Sequence, residues 1–236
     1  MRRVPALVVV VVALLAGACA SGGGDDPSVD AGGSITTAAP STSSTGFVYG
    51  TGGCPPSTAP ASTPHTFAAA PQKCIVDGVD YGAVIKTTLG DITVDLLEDK
   101  APGTVNNFVV LARWGWFNGD DFHRVVKGFV AQGGDPFGKP QGTGGPGYAI
   151  KDELPDSVSA YLPGAVAMAN SGPNTNGSQF FLCVNCSGFP KPLYSLFGQI
   201  SSGMDVVMQI DALGNGDGPP STPVGITSVT ITEKKK

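Results

Sequence analysis

The stretch Phe122–Asp135, FHRVVKGFVAQGGD, and its companion Met168–Phe181, MANSGPNTNGSQFF, decide how the chain is read. Each is an apolar run that enters a Gly-rich turn, the pattern of a strand closing on a loop. Together they set one arginine, several amides and several bulky apolar side chains where strands end. That combination suits gripping a short peptide better than holding a phosphate, a metal or a base.

Outward from this pair, short apolar runs recur between Gly- and Pro-rich breaks. Gly82–Thr88 and Ile92–Leu97 alternate apolar and polar residues around Leu89-Gly90-Asp91, which predicts a hairpin. Ala101-Pro102 opens a helix, proline being suited to its first turn, and Val105, Phe108, Val109 and Ala112 form its apolar stripe up to Trp114-Gly115. Strands are predicted at 122–126, 129–132, 165–168, 179–184 and 196–200, a second helix at 204–213 and a last strand at 224–232. Many short strands with only two helices favour a mainly β fold. The expected form is a closed antiparallel eight-stranded β-barrel capped by two α-helices, with first and last strands paired.

Composition limits the function classes. The chain has 236 residues, a net charge of −5 and 14% charged residues, so it carries no electrostatic footprint for nucleic acid. Arg2-Arg3 followed by the apolar run Ala6–Leu15 reads as a targeting segment, residues 1–19. Leu14–Cys19 resembles the lipobox of bacterial lipoproteins, with Ala16 where leucine is usual, and so implies lipid attachment at Cys19. Lipidation by two or more chains gives stable anchoring. The implied location is the outer face of the bacterial cytoplasmic membrane, with plain secretion as the alternative. Residues 20–66 are roughly four-fifths Gly, Ser, Thr, Pro or Ala and read as a disordered tether, of r.m.s. reach on the order of 35–40 Å. Phe47-Val48-Tyr49 is its one apolar cluster, expected to be a sticky spot rather than a folded element. The folded domain is expected at 67–233, followed by a basic tail, 234–236.

Apart from Cys19, the chain holds Cys54, Cys74, Cys183 and Cys186, an even number open to three pairings. Cys183-Val184-Asn185-Cys186 has the spacing of a redox or zinc half-site, but it follows a strand pattern and lacks a matching second pair, which favours a structural role. Gly142–Gly147 fits G-x-G-x-x-G formally, yet no strand precedes it and Pro146 interrupts it, which argues against a dinucleotide site. A hydrolase would need His123 as base, and no serine or carboxylate is placed with it by any motif.

Taken together, Phe122–Val126, Gly128–Asp135 and Met168–Phe181 resemble the signature of the cyclophilins, which are peptidyl-prolyl cis-trans isomerases. The hairpin, the helix carrying Asn106-Asn107-Phe108, and Leu196-Phe197-Gly198 follow the family pattern in order, so the resemblance spans about residues 67–233. It implies that Arg124 and Gln132 are catalytic, and that Phe129, Val130, Phe181 and Phe189 line a proline pocket. Gln132 and Asn170, with Ala169 beside them, would hold the substrate backbone, and Gln179 would buttress Arg124. Departures from the family pattern are Val130 where methionine is common, Phe189-Pro190 where eukaryotic members carry tryptophan, and Tyr194 where histidine is frequent. The Phe189 exchange implies weak cyclosporin binding.

The chemistry agrees with these residue types. Rotation about X-Pro must overcome a resonance barrier of about 18–20 kcal/mol, and no bond to carbon breaks. No cofactor, metal or nucleophile is therefore expected. As the amide twists, the proline nitrogen regains a lone pair, which a fixed cationic donor such as Arg124 can stabilise. Expected partners are Pro-containing peptides and unfolded exported proteins, with the domain acting as a monomer. A non-catalytic chaperone or scaffold of the same fold is the alternative.

Overall fold

A computed structural model describes residues 47–56 and 62–236. The targeting segment, Cys19 and most of the expected tether lie outside them. The elements are β1 (Val79–Thr87), β2 (Gly90–Leu96), α1 (Pro102–Arg113), β3 (Asp120–Asp121), β4 (Arg124–Val126), β5 (Val130–Gly133), β6 (Ala165–Met168), β7 (Phe180–Cys183), β8 (Leu196–Ser202), α2 (Met204–Ala212) and β9 (Gly225–Lys235). Strand alternation and helical stripes thus located both helices and eight of the nine strands. The exception is β3, too short to show a period.

All strands among the described residues join one antiparallel sheet in the order β3-β9-β1-β2-β8-β6-β7-β5-β4. As expected, β1 pairs with β9, from Val79 opposite Lys235 to Thr87 opposite Ile226. The closed eight-stranded barrel is not what forms. The sheet has nine strands and curls into a half-barrel, and no ladder joins its two edge strands among the described residues. Those edges, β3 and β4, are separated in sequence only by Phe122 and His123, so a single run of chain turns from one edge to the other. The β9 side holds this run by isolated bonds: Phe122 N–H donates to Val224 O at 3.0 Å and Val125 N–H to Gly218 O at 2.8 Å.

The pleat sorts side chains into two clusters. Val125, Ala131, Val166, Met168, Phe180 and Leu182 face the main core with α1 and α2. Phe108 of α1 sits at its centre, its ring centroid 5.1 Å from Phe117, 5.7 Å from Phe180 and 5.1 Å from Phe197. Val130, Ala165, Ala167, Phe181 and Cys183 project from the other face and form a smaller cluster with Tyr161, Cys186 and Leu196. Phe181 thus takes the opposite face from Phe180 and Leu182.

Helix α1 is buried on all sides from Gly103 to Ala112, whereas its stripe predicted one buried face. Part of the cover is a segment assigned to the tether. Gly50 N–H donates to Pro71 O at 3.0 Å and Gly52 N–H to Ala70 O at 2.8 Å, and a Cys54–Cys74 disulfide closes the strap. Phe47 lies so close over Gly103 that a Cβ there would strike its ring. Asn106 completes the clasp, its Oδ1 accepting from Cys74 N–H at 2.7 Å and Ile75 N–H at 3.1 Å. Order therefore begins before the expected boundary at 67, because backbone bonding and a disulfide hold a composition that reads as loose. The helix start is capped from far away: Glu153 accepts from Gly103 N–H at 3.0 Å and Thr104 N–H at 2.6 Å.

Asp120 of β3 is fully buried. Its Oδ2 accepts from Gly134 N–H at 2.5 Å, while its Oδ1 has no partner among the described residues. Burial pushes its pKa up to about 7, only partly offset by the main-chain donor of Gly134. With the folded pKa above the ordinary value of 3.8, the native state binds the extra proton between the two values. The contribution of Asp120 to stability is then fully present below about pH 4 and is lost as pH rises through 7, by up to roughly 4 kcal/mol. Denaturant titrations at pH 5 and 8 should show this fall in the wild type and a much flatter response in Asp120→Asn. Equal slopes in the two proteins would refute it.

Candidate active site

The site grows from one lateral row of the sheet. Arg124 of β4 stands opposite Gln132 of β5, Gln132 opposite Phe181 of β7, and Phe181 opposite Ala167 of β6. Directly opposed residues share a face, so the arginine, the amide and the ring come together on the side away from the main core. One step along, Val126, Val130 and Cys183 form the next row. The β4–β5 turn that sets this register is pinned by α2, Asp211 Oδ1 accepting from Gly128 N–H at 2.6 Å.

Over these rows lies a cavity of about 140 Å3 lined by Arg124, Phe129, Val130, Gln132, Ala169, Asn170, Phe181, Phe189 and Tyr194. The sequence nominated all nine, and the fold brings all nine together. The volume is that of roughly five water molecules, room for one small ring. Its wall is an aromatic box: the Phe189 ring is 5.4 Å from Phe129, 6.1 Å from Phe181 and 5.0 Å from Tyr194. Tyr161, which the sequence did not nominate, holds the far wall. Its hydroxyl donates to Tyr194 O at 2.6 Å and accepts from Tyr194 N–H at 3.1 Å.

The polar side departs from expectation in three respects. Gln179 reaches Arg124 only at one remove. Its Oε1 accepts from Gln132 Nε2 at 3.0 Å, Gln132 Oε1 accepts from Arg124 Nη1 at 3.2 Å, and Gln179 Nε2 donates to Gly144 O at 3.0 Å. The Asn170 side chain is engaged within the protein, Nδ2 donating to Leu193 O at 2.9 Å and Oδ1 accepting from Gly172 N–H at 3.2 Å. Any substrate bond from Asn170 then falls to its main chain, which has no hydrogen-bond partner among the described residues. Third, Arg124 has a carboxylate partner that no motif announced: its Nε donates to Asp217 Oδ1 at 2.5 Å.

The loop beside the pocket is organised by Asp135, which is fully buried. Its carboxylate accepts from Gly138 N–H at 2.8 Å, Gly142 N–H at 2.7 Å and Gly144 N–H at 2.7 Å. Gly138 and Gly144 lack side chains for good reason, since a Cβ at either would overlap that carboxylate. The formal G-x-G-x-x-G thus begins in a turn wound round a carboxylate. An adjoining cavity of about 480 Å3, sharing Gln132, Ala169 and Asn170 with the first, runs along this loop to Gln179.

Neither ring nitrogen of His123 finds a partner among the described residues. Burial lowers its pKa, with Arg124 adding to the effect against the pull of Asp135, so the ring is neutral near pH 7. Of the three pairings open to the cysteines, the structure has Cys54–Cys74 and Cys183–Cys186. Cys183 and Cys186 are fully buried in the cluster beneath the pocket, which suits a structural link rather than exchange with an outside thiol.

With this geometry in hand, known proteins supply the comparison. Residues 83–231, well over half of the chain, match the family model "Cyclophilin type peptidyl-prolyl cis-trans isomerase/CLD". A peptidyl-prolyl cis-trans isomerase of Helicobacter pylori is 44% identical over 135 residues, covering 57% of this chain and 81% of the relative. Peptidyl-prolyl cis-trans isomerase B of Streptomyces anulatus is 42% identical over 166 residues, 63% of this chain and 92% of the relative. Among solved structures, a cyclophilin-type isomerase of Cryptosporidium parvum superimposes with a TM-score of 0.59 at 29% identity, over 66% of this chain and 99% of that one. A second structure of that protein was determined in the presence of the dipeptide Ala-Pro, with a TM-score of 0.58 and 29% identity. The chain belongs to the cyclophilin-type peptidyl-prolyl cis-trans isomerases, an enzyme family of isomerases.

Proposed function

We propose that the chain turns X-Pro bonds in exported polypeptides, with Arg124 stabilising the twisted amide, while a lipid on Cys19 holds it to the outer face of the cytoplasmic membrane. One observation carries the mechanistic part: a guanidinium fixed at two of its nitrogens stands on the rim of a small aromatic-walled cavity. Proline is the residue whose ring such a cavity selects, and its nitrogen is where charge develops as conjugation is lost. Burying the ring in Phe129, Val130, Phe181 and Phe189 binds planar and twisted substrate alike. A hydrogen bond from Arg124 to the pyramidal nitrogen forms only in the transition state, and that difference raises kcat. Among the described residues Nη2 of Arg124 has no partner, so its N–H groups are free to donate. Main-chain groups of Asn170 would hold the flanking peptide.

The test is catalysed isomerisation of an X-Pro peptide by the full chain. Turnover supports the reading, whereas tight peptide binding without turnover would leave a scaffold. Because no proton moves in the proposed step, kcat/KM should be constant within about twofold from pH 6 to 8. The measurement belongs at a temperature well below unfolding, so that titration of Asp120 enters stability and not rate. A bell-shaped profile would count against the mechanism. For the location, the motif Leu14–Cys19 is the support, and the mass of the mature N-terminus decides: cleavage before Cys19 with added acyl mass is expected, and an unmodified end would refute lipidation.

A further inference from the structure

We infer that Asp217 is a positioning residue for catalysis, orienting Arg124 toward the pocket; this rests on the role proposed above for Arg124. The loop between α2 and β9 reads as a plain Gly- and Pro-rich connection, Leu213-Gly214-Asn215-Gly216-Asp217-Gly218-Pro219. In the fold it serves as a partial extra edge beside β4. Val125 N–H donates to Gly218 O at 2.8 Å, and Ser221 N–H to Leu213 O at 2.8 Å closes the loop behind it. The first bond registers Asp217 against the residue that precedes Val125, namely Arg124, and the carboxylate accepts from Nε at 2.5 Å. Gln132 takes Nη1 on another edge of the guanidinium.

A planar group held at Nε and Nη1 has lost rotation about its long axis, and Nη2 is left without a partner among the described residues. Gln132 alone would leave the plane free to swing about a single bond at 3.2 Å. Asp217 thus supplies orientation, and it also supplies an interaction that salt can weaken, because its side chain is 72% exposed. Arginine holds the Asp217 pKa below the ordinary carboxylate value, so the pair is charged at neutral pH.

The experiment measures kcat, KM and their salt dependence for wild type, Asp217→Ala, Asp217→Asn, Arg124→Ala and the double variant Arg124→Ala/Asp217→Ala. Asp217→Ala should lose roughly two- to fivefold in kcat, the upper range of an exposed ion pair, with KM changed by less than that. Asp217→Asn keeps an acceptor and should recover part of the loss. Raising NaCl toward 1 M should lower wild-type kcat toward the Asp217→Ala value and leave that variant flat. In the double variant Asp217→Ala should have no further effect. Wild-type kcat in Asp217→Ala, or an equal loss in the Arg124→Ala background, overturns the inference while the role of Arg124 stands. Unchanged activity in Arg124→Ala itself would instead remove the reading on which it rests.

Discussion

Replacing Arg124 by alanine is expected to lower kcat/KM by about 10²–10³-fold, the range found when one preorganised transition-state donor is lost. The loss should fall in kcat, with KM moved much less, because the ring-binding wall of Phe129, Val130, Phe181 and Phe189 is untouched. Arg124 sits on the rim of the site, with its side chain 31% exposed, so the fold should survive. Circular dichroism and the urea midpoint should match wild type within about 1 kcal/mol. Lysine should rescue little, since a point charge on a flexible stem cannot hold Asp217 and Gln132 at once and still present a third donor. A kcat/KM within threefold of wild type would refute electrostatic stabilisation by this side chain.

Asp135→Ala is expected to be the most damaging single change near the site that touches no substrate. Three main-chain N–H groups lose their acceptor together. Bonds to a charged acceptor are individually worth more than neutral ones, and leaving their donors unpaired costs more still. Some donors will find water in the exposed loop, so a loss of about 3–5 kcal/mol is expected from urea denaturation. Activity should fall as well, by about tenfold in the folded fraction. Its route runs from the loop carbonyl of Gly144 through Gln179 and Gln132 to Arg124. Asp135→Asn, which keeps one acceptor oxygen, should recover part of both losses. A destabilisation below about 1 kcal/mol would show that the loop holds its shape without the carboxylate.

What the sequence made legible, and what it hid, follows from the range over which residues act. Seven of the nine pocket residues were readable because they lie in two unbroken motifs that resemble a known signature, and Phe189 and Tyr194, outside both, were implied by the same resemblance; Arg124, Gln132 and Phe181 had only to be laid side by side by strand pairing. Asp217 was not, being 93 positions from Arg124 in a loop whose Gly and Pro content announces only a turn. Glu153 caps α1 from about fifty positions away for the same reason. Nor does alternation count strands: β3 is two residues long, and its loss from view turned a nine-stranded half-barrel into an expected eight-stranded closed one. Composition misled at the strap, where Gly, Ala and Pro read as freedom although backbone bonds to Ala70 and Pro71 fix the chain.

The meeting of both sheet edges in one short run of chain bears on how an enzyme of this family meets an extended peptide. An open strand edge offers unpaired N–H and C=O groups to any extended chain and invites it to add as a further strand. Here the edge strands are two and three residues long, joined to each other, and the outer side of β4 is partly occupied by Gly218. A passing chain finds almost no backbone to pair with. It can engage where its proline fits and must let go once that residue leaves, so the same curl that builds the pocket leaves little sheet edge on which strands could grow.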